Sequence, residues 1–218
     1  MKIALINGSP KPKNSISGLL LQRIERLIGT EHEVRTSVWR HASLNDDQLA
    51  EVTGSDALVL VFPLYVDGIP AHQMACMDAY TRYTHPGAAK PKVYAVVNCG
   101  FYEAEHTELA LKLVAFWAKR NGFSWGSGLG IGAGGALSVG RTPEGQFTGS
   151  NAPVEKALIA FTENLLKMET GPDVFVTPAM PAWIYKKAAH FNWRRSIKAH
   201  GLKTSDLARK LPLPDKDL

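Results

Sequence analysis

The stretch Leu5–Ser15, LINGSPKPKNS, breaks an apolar run at a glycine and continues in side chains that donate hydrogen bonds. Hydroxyls at Ser9, Ser15 and Ser17, the Asn14 amide and the free backbone N–H groups of a following helix suit an anion, and a helix start favours phosphate. Lys11 and Lys13 add positive charge. Other phosphate loops do not fit. There is no Gly-Lys-Ser/Thr, and the loop does not carry the Gly-x-Gly-x-x-Gly of a dinucleotide fingerprint. The loop lacks the cysteine and arginine of a phosphatase, and residues 1–24 lack the acidic side chains of a signalling receiver. An ordinary capped turn is the competing reading.

Two more stretches carry groups suited to a flat ring. FPLYVDGIPAH (Phe62–His72) and VNCGFYEAEH (Val97–His106) offer Tyr65, Phe101 and Tyr102 as aromatic surface, Gly100 for close backbone approach and Asn98 for polar contact. Cys99 reads as a small packing residue, as a lone cysteine usually does. GFSWG (Gly122–Gly126) matches a nucleophile elbow but follows a helix and opens a strand, the reverse of the required context. GIGAGG (Gly130–Gly135) matches a dinucleotide fingerprint with no helical pattern after it, and reads as a loop.

These groups need a frame, and hydrophobic period supplies one. Strands are expected at Lys2–Ile6, Glu33–Trp39, Ala57–Phe62, Lys92–Asn98 and Phe123–Ile131. Helices are expected at Ser15–Ile28, Leu44–Val52 with Ser43 as cap, residues 71–84, Glu105–Arg120 and Val154–Met168. The fourth helix carries Leu109, Leu113, Phe116 and Trp117 on one side. Residues 132–153 read as a long loop or small hairpin. Such alternation implies an α/β domain, a parallel sheet with helices on both faces. Ligands of such sheets bind beyond the carboxyl ends of the strands, where all three stretches lie.

Taken together, NGSPKPKNS, FPLYVDGIPAH and NCGFYEA, each ending a successive strand, resemble the NADPH-dependent FMN reductases of the flavodoxin-like oxidoreductases, over Met1 to about Met168. The resemblance implies a flavodoxin-like three-layer sandwich with a five-stranded sheet of order 2-1-3-4-5. It implies FMN as cofactor, with Ser9, Lys11, Asn14 and Ser15 toward its phosphate in the Ser9–Ser17 loop. Pro63, Leu64, Tyr65 and Val66 would line one side of the ring, and Asn98, Cys99, Gly100 and Phe101 the other. It also implies an NAD(P)H oxidoreductase in which NADPH or NADH gives hydride and a quinone, nitro compound or free flavin takes the electrons. The absence of an acid–base or nucleophile set agrees, since a flavin carries its own chemistry. A one-electron carrier and a non-catalytic interaction protein are the alternatives on the same fold.

The formal charge of +5 and pI near 9.2 invite a nucleic-acid reading. Residues 172–218 hold 9 Lys/Arg against 4 Asp/Glu, whereas residues 1–171 hold 16 against 16. The expected domain, 1–171, is therefore balanced, and no nucleic-acid partner is expected for it. The basic extension, 172–218, contains WIYKKAAHFNWRRSIKAHG (183–201), whose mixture nucleic acid, an anionic membrane surface or a partner subunit could use. It is expected to pack on its own domain or on a second subunit of a homo-oligomer. Two cysteines far apart give neither a disulfide framework nor a paired-cysteine metal site, the seven histidines show no metal spacing, and no run reaches membrane-spanning length. The expected compartment is the cytoplasm.

Overall fold

Among the described residues, twelve strands and α-helices follow one another: β1 (Lys2–Asn7), α1 (Ile16–Ile28), β2 (Glu33–Val38), α2 (Asp46–Val52), β3 (Ala57–Pro63), α3 (Ala71–Tyr83), β4 (Lys92–Asn98), α4 (Glu108–Arg120), β5 (Ser124–Ile131), α5 (Ala152–Leu166), β6 (Val174–Val176) and α6 (Ala182–Ala199). They come from a computed structural model that describes residues 1–84 and 90–209. All six strands form one parallel sheet in the order β2-β1-β3-β4-β5-β6.

The central strands are apolar throughout because both faces are covered. Alternate residues supply two separate cores. Ala4, Ile6, Leu58, Leu60, Phe62, Val93, Ala95 and Val97 face α2, α3 and α4. Ile3, Leu5, Val59, Val61, Tyr94, Val96, Leu129 and Ile131 face α1 and α5. On α1, Leu20, Leu21, Ile24 and Ile28 are buried at helical spacing, each worth about 1.5–3 kcal/mol in area removed from water.

Four local expectations are corrected. The cap of α2 is Asn45, not Ser43; its side chain accepts from the Gln48 N–H at 2.8 Å, and Gln48 answers on the Asn45 N–H, a reciprocal capping box. The segment expected as one helix from Glu105 opens with a 3-10 turn, Ala104–Thr107, before α4. The buried side of α4 is Ala110, Leu111, Val114 and Ala118; Leu109, Leu113 and Phe116 are exposed. Both stripes have helical period, and the side with two alanines comes closer to the sheet. Finally, six strands are present where five were expected. The sixth lies in residues assigned by sequence to the extension, and the first compact unit runs from Met1 to Ala179.

The second compact unit begins at Met180 and holds α6 and a 3-10 turn at Thr204–Ala208. Residues 210–218 of the expected extension lie outside the described residues. Among the described residues, no helix is long and apolar enough to cross a membrane, and no three His, Cys, Asp or Glu side chains are grouped to hold a metal.

Candidate functional site

The loop after β1 continues the sheet for one residue and then turns back. The Gly8 N–H donates to the Val61 carbonyl at 2.9 Å. A side chain there would force a shift: a Cβ on Gly8 would lie 2.2 Å from Gln73 Oε1 and 3.0 Å from Phe62 Cβ. The His72 ring closes on the Gly8 carbonyl, with Nε2 at 3.0 Å. Asn7 Oδ1 accepts from the Ser9 N–H at 3.1 Å, and Ser9 Oγ accepts from the Lys11 N–H at 3.3 Å, successive side-chain turns that shape the loop. Asn14 takes the left-handed conformation at φ +52°, which asparagine tolerates.

Ser15 then caps α1, its hydroxyl accepting from the Gly18 N–H at 3.0 Å. The Ile16 and Ser17 N–H groups, in the first turn, are left pointing out of the helix end, and that turn has no acidic residue. Ser17 donates to Asn98 Oδ1 at 2.8 Å, both side chains being buried. Thus, of the hydroxyls named from sequence, those of Ser15 and Ser17 already serve the protein. Ser9 is buried with its own proton left over, while Lys11 and Asn14 are exposed.

The loop after β3 is a tight hairpin. Tyr65 and Gly68 exchange both backbone hydrogen bonds at 3.0 Å, and Val66 and Asp67 between them have φ +48° and +57°, a type I′ turn. A β-branched residue is a poor choice for that conformation. Val66 is nonetheless there, fully exposed, beside a half-exposed Tyr65. Pro63 ends β3, and the Leu64 N–H donates to the Asn98 carbonyl at 2.8 Å.

Asn98 therefore joins three loops. Its side chain holds the start of α1, its carbonyl holds Leu64, and its own chain continues into Cys99–Phe101. The Cys99 N–H bonds to the Ile131 carbonyl at 2.9 Å, and the Gly134 N–H returns to the Cys99 carbonyl at 2.8 Å. Gly132 packs against the next loop, where a Cβ would lie 2.2 Å from the Tyr102 carbonyl. Gly132 and Gly134 of GIGAGG thus serve backbone approach between adjacent loops, while Gly130 makes room for the Thr107 and Phe175 side chains. A Cβ on Gly100 would meet nothing, so the edge is open there. Phe101 is half-exposed and lies against the His106 ring, with centroids 4.4 Å apart. Burial pushes the Cys99 thiol up to about 11, so at neutral pH it is a protonated packing group.

Sequence reasoning missed Arg40, just past β2. One of its guanidinium nitrogens reaches the Pro12 carbonyl at 3.4 Å, and its Nε is buried with no partner. The available signal was positional: a strand next to β1 in the sheet ends in a cation.

No protein-family model and no curated protein matches the sequence. Solved structures do. An NAD(P)H:quinone oxidoreductase from Methanothermobacter marburgensis matches with a TM-score of 0.53 at 15% identity, over 77% of this chain and 97% of that one. The flavoenzyme NAD(P)H:(acceptor) oxidoreductase FerB from Paracoccus denitrificans gives 0.53 at 13% identity, over 76% and 97%. An NADPH-quinone reductase from P. pentosaceus gives 0.51 at 16%, over 75% and 96%. The chain has the flavodoxin-like fold. Its strand order makes β1 and β3 neighbours, the point at which the order of a flavodoxin-like sheet reverses and its ligand is received. The Ser9 loop, the Tyr65 hairpin and the Asn98 loop are the flavodoxin-like edge loops at that point. β6 adds a strand beyond the 2-1-3-4-5 order.

Proposed function

We propose that this protein is an FMN-dependent NAD(P)H oxidoreductase that passes electrons from NADPH or NADH to a small acceptor such as a quinone, a nitro compound or free flavin. One observation carries the reading: Asn98 fastens an anion-ready helix start and two aromatic loops into one open edge of a flavodoxin-like sheet. The neighbouring structures described as NAD(P)H oxidoreductases support it.

The residues present fit the cofactor. The Ile16 and Ser17 N–H groups, the Ser9 hydroxyl, Lys11 and Asn14 form a donor set for a phosphate, and the first turn of α1 holds no acidic side chain to repel it. Ser15 and Ser17 act one step back, by capping the helix and fixing its start. Pro63, Leu64, Tyr65 and Val66 offer one wall for a flat ring, and Asn98, Cys99, Gly100 and Phe101 the other. Bound FMN supplies hydride and electron transfer by its own chemistry. The chain holds it, excludes water with Tyr65 and Phe101, and leaves the Gly100 side open for substrate.

The protein is further proposed to work as a homo-oligomer, in keeping with the exposed Met74, Leu109, Leu113 and Phe116 on α3 and α4. The cytoplasm suits its two free thiols.

The test is the visible spectrum of the purified protein before and after FMN addition and desalting, followed by rapid mixing with each nicotinamide under anaerobic conditions. Retained oxidised flavin that is bleached by NADPH or NADH is the expected result. A protein that retains no flavin refutes the cofactor assignment, and one whose flavin is not reduced by either nicotinamide is a carrier.

A further inference from the structure

The second compact unit carries a surface that the redox reading does not use. Residues 182–205 contain six Lys and Arg and no Asp or Glu. None of the 18 residues of α6 is buried. Those partly covered, Ala182, Tyr185, Ala189 and Ile197, fall on one side of the helix, which also carries the exposed Lys186 and Trp193. On the opposite side Ile184, Lys187, Phe191, Arg195 and Lys198 recur at intervals of three and four, all exposed. At 100° per residue, Ile184 and Phe191 run down the centre of this row, with Lys187, Arg194 and Lys198 on one flank and Arg195 on the other. Trp183 borders it, with the Lys187 ammonium 5.1 Å from its ring centroid. Trp183 and Phe191 are 60% and 66% exposed.

We propose that α6 docks the protein on an anionic lipid surface. A narrow apolar row between cations matches a bilayer boundary: lysine and arginine stems lie along the apolar layer while their charges reach lipid phosphates, and the indole sits at headgroup depth. The charge has one sign throughout, as binding to an anionic leaflet requires. Ile184, Leu202 and Leu207 are exposed as well. Aliphatic side chains gain little from nucleic-acid bases, which bind through stacking and phosphate contacts, but they gain burial in the acyl boundary. With five cations spread along its 18 residues, the helix lies on the surface and does not cross.

This proposal stands on α6 alone and does not depend on the flavin assignment, so either can fail without the other. The experiment is co-sedimentation of the full chain with phosphatidylcholine vesicles, with and without about one third phosphatidylglycerol. Binding at least about 100-fold stronger to the anionic vesicles, and lost in high salt, is expected. Each basic residue at an anionic surface strengthens binding roughly fivefold, so the triple variant Lys187→Gln, Arg194→Gln, Lys198→Gln should bind roughly 100-fold more weakly. Its circular dichroism should match the parent, because these side chains are exposed. Phe191→Ala should weaken binding without changing its salt dependence. Equal binding to both vesicle types, or to neither, overturns the proposal. So does an oligonucleotide that binds the full chain while vesicles do not, or a self-association that covers the same row and is broken by the triple variant.

Discussion

Replacing Ser17 by alanine separates two roles for one hydroxyl. In the structure it donates to Asn98 Oδ1 at 2.8 Å, with 1% of Ser17 and 6% of Asn98 exposed. The substitution removes a buried hydrogen bond and strands a buried acceptor, which costs about 1–3 kcal/mol. Alanine's better helix propensity returns a few tenths of a kcal/mol, roughly 0.3, at this first-turn position. The net loss is about 0.7–2.7 kcal/mol, and for a chain of this size each kcal/mol moves the melting temperature by about 2–4 °C. Urea unfolding of the flavin-free protein should therefore show a lower midpoint with an unchanged slope, and thermal unfolding a drop of about 1–11 °C. FMN should bind more weakly too, because α1 is no longer fastened to β4. Were the hydroxyl chiefly a phosphate ligand, the flavin-free protein would keep its midpoint and only FMN affinity would fall. That outcome refutes the reading of Asn98 as the joint between loops.

Gly8→Ala should lower stability by about 2 kcal/mol or more in urea unfolding, since its Cβ would fall 2.2 Å from the buried Gln73; an unchanged midpoint would mean that Gln73 can give way. Val66→Asn should stabilise the protein by about 1 kcal/mol by relieving a β-branched residue at φ +48°, again read from urea midpoints. Glu155, buried at 5% exposure, takes bidentate hydrogen bonds from Arg23 and accepts from the Phe147 N–H at 3.0 Å. Glu155→Gln should cost about 3 kcal/mol and speed hydrogen exchange at Phe147. Burial raises the Cys76 and Cys99 thiols from 9.0 to about 11. Below pH 9 folded and unfolded chains both keep these protons and the stabilising contribution is complete; between pH 9 and about 11 the unfolded chain releases them first, so stability falls as pH rises. The urea midpoint should accordingly be lower at pH 10 than at pH 8, by less in a variant in which both cysteines are replaced by alanine.

What sequence could and could not disclose follows from the range of each interaction. The order of elements was readable because β1, β3 and β4 are continuous apolar runs and α1 has a single clean stripe. The three edge loops were readable because each begins where such a run stops. The inward side of α4 was not, since two stripes of equal period compete and only the sheet's distance chooses the one with Ala110 and Ala118. The bond from Ser17 to Asn98 was not legible, because its acceptor is 81 residues away. Arg40 and Glu155 escaped notice for the same reason: their partners Pro12, Arg23 and Phe147 are neighbours only after folding. β6 was hidden by its length of three residues, too short for any period to register.

That short strand has a consequence for how the chain can be cut. Without it, β5 would form the border of the sheet and present a row of unpaired N–H and C=O groups, a template for another chain. At the other border β2 carries Glu33 and Arg35, paired with each other at 2.7 Å, and such charges discourage a visiting strand. β5 has no such guard: its sequence SWGSGLGI contains no charge at all. A protein ended after Gly171 would keep every edge loop of the candidate site and yet be prone to aggregate, whereas one ended after Ala179 would keep its border strand and stay dispersed.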